Sequence, residues 1–87
     1  MNIHVIKCQT PYFQDVLDRR KTFEVRLNDR DYQVDDELHM IEVECDSLTQ
    51  TGRRLSATIS YMLSDASWGL RDNYVVLALE DVKETHA

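Results

Sequence analysis

Short segments in which apolar and polar residues alternate constrain the fold of this chain more than any other feature. The clearest is TFEVRL, residues 22–27, in which Phe23, Val25 and Leu27 alternate with polar residues. NIHVIK, LHMIEVEC and RLSATISYML alternate in a similar way, whereas NYVVLALEDV is apolar on both sides. A period of two is the repeat of a β-strand, so these segments predict five strands, the last of them central.

One segment has the spacing of a helix instead. TPYFQDVLDRRK, residues 10–21, offers Thr10 as an N-cap and Pro11 at the first helical position, where a missing N–H costs nothing. Its apolar residues recur at helical spacing and predict one stripe that packs on a sheet, formed by Phe13, Val16 and Leu17.

The resulting element order is β-α-β-β-β-β, which predicts an α+β fold. Short strands joined by polar turns favour a mostly antiparallel sheet that curls into a small barrel against the N-terminal helix. In RLSATISYML we expect Leu55, Ala57, Ile59 and Tyr61 to share one face. Eighty-seven residues are enough for one domain, residues 1–87.

Apolar run lengths and the number and spacing of cysteines and histidines exclude some classes of protein. No apolar run approaches the length of a membrane span and the start does not resemble a signal peptide, so we expect a cytoplasmic protein without a membrane partner. Two cysteines, Cys8 and Cys45, and three histidines, His4, His39 and His86, show no metal-ligand spacing, and the sequence predicts neither a metal nor a cofactor.

The net charge of -6 argues against indiscriminate nucleic-acid binding, but the charges are segregated. Residues 17–30 contain five basic and three acidic side chains, a balance of +2, whereas residues 31–46 contain seven acidic side chains and no Lys or Arg, a balance of -7. The chain can therefore present a basic cleft to an anionic ligand while the rest of its surface repels bulk nucleic acid. A mixed, solvated surface explains the same distribution.

Three charged side chains form the candidate site. With alternating geometry, Glu24 and Arg26 share the face of their strand opposite the apolar residues, which we take to be the non-core face, and Lys21 precedes them. Arg and Lys can hold a phosphate while Glu accepts a hydrogen bond from an amine. The alternative is a surface ion pair of little energetic value.

Other residues are weaker candidates. Arg30 and Arg53 can contact phosphates, although Arg53 can equally keep the TGRR hairpin soluble. Trp68, in the polar loop SDASWGLRDN, is either a loop anchor or a platform on which a base stacks, and three tyrosines could extend that surface, Tyr32, Tyr61 and Tyr74.

The segment RRKTFEVR resembles the G-x-K-x-x-E-x-R motif of the ASCH (activating signal cointegrator homology) family, a branch of the PUA-like superfamily. Lys21, Glu24 and Arg26 match its polar positions, and Arg19 stands where the family has glycine. The continuation through TGRRLSATISYML to YVVLALE is similar to small bacterial and phage ASCH-like proteins, with Asp35-Asp36 in place of their Gly-Asp turn.

This resemblance implies a PUA-like β-barrel with a motif-lined cleft beside the helix, and RNA or a modified nucleotide as the ligand. It also leaves an enzyme open, either an amidohydrolase acting on N4-acetylcytidine or a ribonuclease, with Lys21 and Glu24 as acid and base. In the amidohydrolase a threonine nucleophile occupies the position of Glu24, so that nucleophile cannot be carried over. A third hypothesis is a phage or mobile-element accessory protein that binds a host protein through residues 31–46.

Overall fold

The fold is taken from a computed structural model that describes residues 1–64 and 68–85. Residues 65–67 of the polar loop and His86 lie outside these ranges. The described elements are five strands and one short helix: β1 (Ile3–Gln9), α1 (Tyr12–Leu17), β2 (Phe23–Leu27), β3 (Glu37–Val43), β4 (Gln50–Leu63) and β5 (Tyr74–Thr85). The predicted element order is confirmed, and none of the described helices is long and apolar enough to cross a membrane.

All five strands form one sheet in the order β1-β3-β4-β5-β2. Three of its pairings are antiparallel and the fourth, β1 with β3, is parallel, so the sheet is mostly antiparallel as predicted. The last strand lies between β4 and β2, which confirms its interior position. The sheet curls into a half-barrel, and among the described residues no backbone ladder joins its edge strands β1 and β2.

The concave face of the half-barrel holds the core. Every second residue of the strands turns inward, and α1 covers this face with Phe13 and Val16, both fully buried. Burial of these apolar side chains is the main force that holds the curled sheet and the helix together. The largest buried strand residues are Leu38, Met40, Leu55, Ile59 and Leu77.

The helix is shorter than predicted. It begins after Pro11, which takes the N-cap position without a side-chain cap, and Thr10 instead donates its backbone N–H to Val43 at 2.9 Å. The helix begins one residue later than predicted, so Thr10 lies one residue before the N-cap position.

The inward face of β2 is the reverse of the predicted one. Phe23, Val25 and Leu27 are 44 to 47% exposed, whereas Glu24 is only 6% exposed and Arg26 is partly buried. The predicted alternation is therefore confirmed, but the polar residues face the interior of the half-barrel. β2 is an edge strand, and its inward side faces the gap beside β1 rather than the apolar core.

Tyr61 also lies on the opposite face from the predicted one. Leu55, Ala57 and Ile59 are buried as expected, but Tyr61 is 66% exposed. The register between β4 and β5 shifts between Ile59 and Tyr61, as an extra residue in one strand does. This β-bulge reverses the alternation, so Met62 packs against the core and Tyr61 faces outward.

Candidate functional site

Lys21, Glu24 and Arg26 meet on the concave side of β2. The carboxylate of Glu24 accepts a hydrogen bond from Lys21 Nζ at 2.6 Å through Oε1 and one from Arg26 Nε at 2.9 Å through Oε2. Each oxygen of the buried carboxylate therefore holds one cation. Charge-assisted pairs of this kind are short and strong, and they fix the two cationic side chains in place.

The end of α1 places Lys21 in this cluster. The backbone N–H of Arg20 donates to Asp15 O at 2.9 Å and that of Arg19 to Val16 O at 3.1 Å, which is the hydrogen-bond pattern of a Schellman motif. Arg19 takes the left-handed position of that motif with φ 61°. The chain reverses there and brings Lys21 beside the start of β2.

The cluster borders a cleft of about 500 Å³ that opens between β1 and β2. Three cationic residues, Lys7, Lys21 and Arg26, line it against one carboxylate, Glu24, so its charge is +2 in a chain whose net charge is -6. The remaining lining residues are Cys8, Gln9, Tyr12, Val43 and Leu48, together with three residues whose side chains belong to the outward rows of β2 and β5, Val25, Leu27 and Tyr74. A cleft of this size lies within the range of small-molecule sites.

Arginine side chains bridge the gap between the two edge strands. Arg26 Nη2 donates to Lys7 O, and Arg30 Nη1 donates to Val5 O at 2.7 Å. Both carbonyls belong to β1, so Arg26 connects β2 to a strand with which it shares no backbone ladder, and Arg30 connects the segment after β2 to the same strand. Arg30 does not line the cleft and contacts β1 instead, whereas Arg26 does both.

The structure does not bring Arg53 and Trp68 to the cleft. Arg53 lies over the ring of Phe13 at 5.1 Å, and its guanidinium pairs with Glu84 at 3.3 Å and more loosely with Glu42 at 3.9 Å. Trp68 is 68% exposed and is absent from the cleft lining. Their proposed contacts with a ligand of this cleft therefore have no geometric basis.

Aromatic side chains of the cleft come from other positions. Of the tyrosines considered for stacking, Tyr74 lines the cleft, Tyr32 is buried in the core and Tyr61 faces outward. Tyr12 of α1 also lines it, with its ring centre 5.7 Å from Lys21 Nζ. Tyr12 could not be assigned to the site from the sequence, because its place depends on where the helix begins.

Cys8 is a further lining residue that the sequence did not indicate as part of the site. It is buried, and burial together with the nearby Glu24 carboxylate raises the pKa of its thiol to about 11. A thiol with this pKa stays protonated near neutral pH and does not serve as a nucleophile.

The acidic segment 31–46 is less exposed than the sequence suggested. Asp36 is buried and accepts hydrogen bonds from the backbone N–H groups of Asn2 and Gln33 and from the ring of His4 at 2.8 Å. Glu42 is also buried and accepts from Thr51 Oγ1 at 2.6 Å. Two of the seven carboxylates are therefore buried and hydrogen-bonded within the chain.

Comparison with known proteins identifies one family. The family model DUF3850, described as a domain of unknown function, matches residues 3–79, which include every residue that lines the cleft. None of the curated proteins matches the chain.

Proposed function

The chain belongs to the DUF3850 family, and we propose from its own site that it is a binding module for RNA or a nucleotide, which it holds in the cleft between β1 and β2. Lys21 and Arg26 contact a phosphate or a base edge. Glu24 accepts a hydrogen bond from a base amine through the lone pairs that its two ion pairs leave open. Tyr12, which lies beside Lys21, provides a ring on which the base stacks.

The observation that carries this proposal is the buried carboxylate held between two cations at the wall of a solvent-open cleft. An ion-pair cluster that served stability alone gains little over apolar side chains of similar size, since burying charges is costly. Here the cluster also borders a cavity of about 500 Å³ with a local charge of +2. An anionic ligand with one flat ring matches that combination of charge and aromatic side chains.

Backbone conformation supports the ASCH resemblance on which the choice of RNA or a nucleotide depends. The motif has glycine at the position of Arg19, and the turn has glycine at the position of Asp35. Arg19 has φ 61° and Asp35 has φ 77°, both in the left-handed region that glycine adopts most easily. Membership of the PUA-like superfamily and a fully closed barrel remain parts of this proposal.

The test compares charge-matched variants in binding to a fluorescein-labelled single-stranded RNA and to cytidine 5′-monophosphate at low salt. Lys21→Gln and Arg26→Gln are expected to weaken binding about tenfold or more, because each removes one charged contact of roughly 1.5–3 kcal/mol. Their controls are Lys83→Gln and Arg54→Gln, which remove the same charge from exposed positions outside the cleft.

The control variants are expected to bind within about twofold of the wild type, since isolated surface charges contribute little. Equal losses in all four variants would indicate nonspecific attraction and refute the cleft as the site. Thermal unfolding of each variant shows whether a loss comes from the fold.

The enzyme hypotheses are separate outcomes of the same experiment. N4-acetylcytidine and the labelled RNA are incubated with the protein and analysed for deacetylated or cleaved product. If product forms with the wild type and not with Lys21→Gln, the protein is a hydrolase rather than a binding module. Undetectable RNA and nucleotide binding, with capture of a host protein that depends on the exposed acidic residues of segment 31–46, would favour the accessory-protein hypothesis.

A further inference from the structure

The convex face of the sheet is divided into a charged half and an apolar half. Residue pairs across the strands place eight outward side chains together on β2, β5 and the end of β4. We call this surface the apolar face; it consists of Phe23, Val25, Leu27, Tyr61, Leu63, Tyr74, Val76 and Ala78. None of the eight is charged, although 30% of the chain is.

The other half of the same convex face has the composition of an ordinary solvated surface. The outward rows across β1, β3, β4 and β5 carry charged residues of both signs, namely Glu37, Arg54, Glu80 and Lys83. The contrast within one sheet shows that the apolar composition belongs to a particular region. Contiguous exposed apolar patches on soluble domains mark interaction sites.

From this division we infer that the apolar face is the interface of a homodimer, in which the β2-β5-β4 faces of two copies pack against each other about a two-fold axis. Two copies of one sheet share the same twist, so their faces align when they stack. An isologous interface needs a surface that complements itself, and an uncharged, apolar sheet face meets that requirement.

The size and rim of the apolar face fit a second copy. Phe23 and Tyr61, 45% and 66% exposed, leave roughly 200 Å² uncovered if each aromatic side chain offers 150–250 Å². The other six residues enlarge this area toward the roughly 800 Å² per partner of a standard interface. At the rim on β5, Glu80 and Lys83 have opposite charges, so a two-fold axis can bring the acid of one copy to the base of the other.

Sedimentation velocity over a concentration series tests the inference, with a matched pair of valine variants. Val25 on the apolar face and Val5 in the charged half are 47% and 50% exposed, and both lie in edge strands. The wild type and Val5→Glu are expected to sediment at twice the monomer mass of 10.2 kDa. Val25→Glu is expected to raise the dimer dissociation constant at least 100-fold, because it buries a carboxylate opposite its own symmetry mate or beside apolar side chains.

Tyr61→Glu is a second variant that should disrupt the dimer, in case Val25→Glu does not fold. Tyr61 lies on β4 and does not line the cleft. Circular dichroism confirms the fold of each variant before its mass is interpreted. A wild type that remains monomeric at several hundred micromolar would overturn the inference. A dimer that withstands both folded apolar-face variants would overturn it as well.

Discussion

At the scale of single residues, burial decides which side chains can react. Cys8 and Cys45 are both free thiols, but Cys8 is buried beside Glu24 while Cys45 is exposed in the loop after β3. The two positions therefore predict opposite reactivity, which follows from accessibility and from the raised pKa of Cys8.

We predict that iodoacetamide at pH 8 modifies Cys45 and spares Cys8 in the folded protein. With a pKa of about 11 for Cys8, only about one thiol in a thousand is ionised at that pH. Intact-mass spectrometry should show one adduct in buffer and two in urea. Rapid modification of Cys8 without denaturant would mean that the concave side is more open than the structure indicates.

Protonation of Asp36 affects the stability of the fold. The backbone N–H of Asn2, followed by the ring of His4, holds the pKa of the Asp36 carboxyl below its usual value of 3.8. A depressed pKa in the folded state contributes stability that is present above 3.8 and is lost as the pH falls through the folded-state pKa.

Asp36→Asn is accordingly expected to cost about 2 kcal/mol at pH 7, since it weakens charged hydrogen bonds to three donors. The difference from the wild type should shrink as the pH falls below 3.8. Urea unfolding at several pH values measures it, with the exposed Asp46→Asn as the control that should follow the wild-type curve. A constant difference at all pH values would contradict the assignment.

At the scale of elements, the end of α1 shows how local conformation sets up the site. Arg19 occupies the left-handed C′ position, where glycine is favoured because a Cβ crowds the backbone. Arginine at this position therefore carries a conformational cost that glycine would remove.

We predict that Arg19→Gly stabilises the protein by about 0.5–1 kcal/mol. Glycine removes the free-energy cost of placing a side chain in the left-handed region, and the greater conformational entropy of glycine in the unfolded chain offsets part of that gain. Arg20→Gly, one residue later and outside the left-handed region, should destabilise it or have no effect. Equilibrium urea unfolding compares the two. A destabilising Arg19→Gly would show that the arginine side chain contributes contacts larger than its backbone cost.

Most elements could be predicted from the sequence, because alternation and turn residues are local signals. The orientation of β2 could not, since alternation separates two faces without saying which one is inside. Phe23 and Val25 suggested the core, but an edge strand beside an open gap turns Glu24 inward, where two cations neutralise it. The outward position of Tyr61 could not be predicted either, because no local feature of RLSATISYML indicates the β-bulge.

At the scale of the whole molecule, the curl of the sheet creates the candidate site. The trio Lys21, Glu24 and Arg26 was predictable as a cluster from spacing and motif. The resemblance implied a cleft lined by the motif, but its position between β1 and β2 could not be predicted, because it depends on these strands being the two edges of one curled sheet, 14 or more residues apart along the chain. Lys7, Cys8 and Tyr12 lie at the site only because the sheet curls in this way.

The division of charge also becomes clear only at this scale. The local charge of +2 in the cleft, the structural use of Asp36 and Glu42, and the uncharged apolar face coexist in a chain of net charge -6. The cleft is therefore a locally cationic region of an otherwise acidic chain.

Chemical-shift mapping by NMR tests the central claim most directly. Cytidine 5′-monophosphate is titrated into ¹⁵N-labelled protein at low salt, and backbone and arginine side-chain signals are followed. We expect saturable shifts confined to the cleft, largest at Lys21, Glu24 and Arg26 and absent in Arg26→Gln. Shifts centred on Arg53 and Arg54, or none at millimolar nucleotide, would contradict the proposal that this cleft binds a nucleotide.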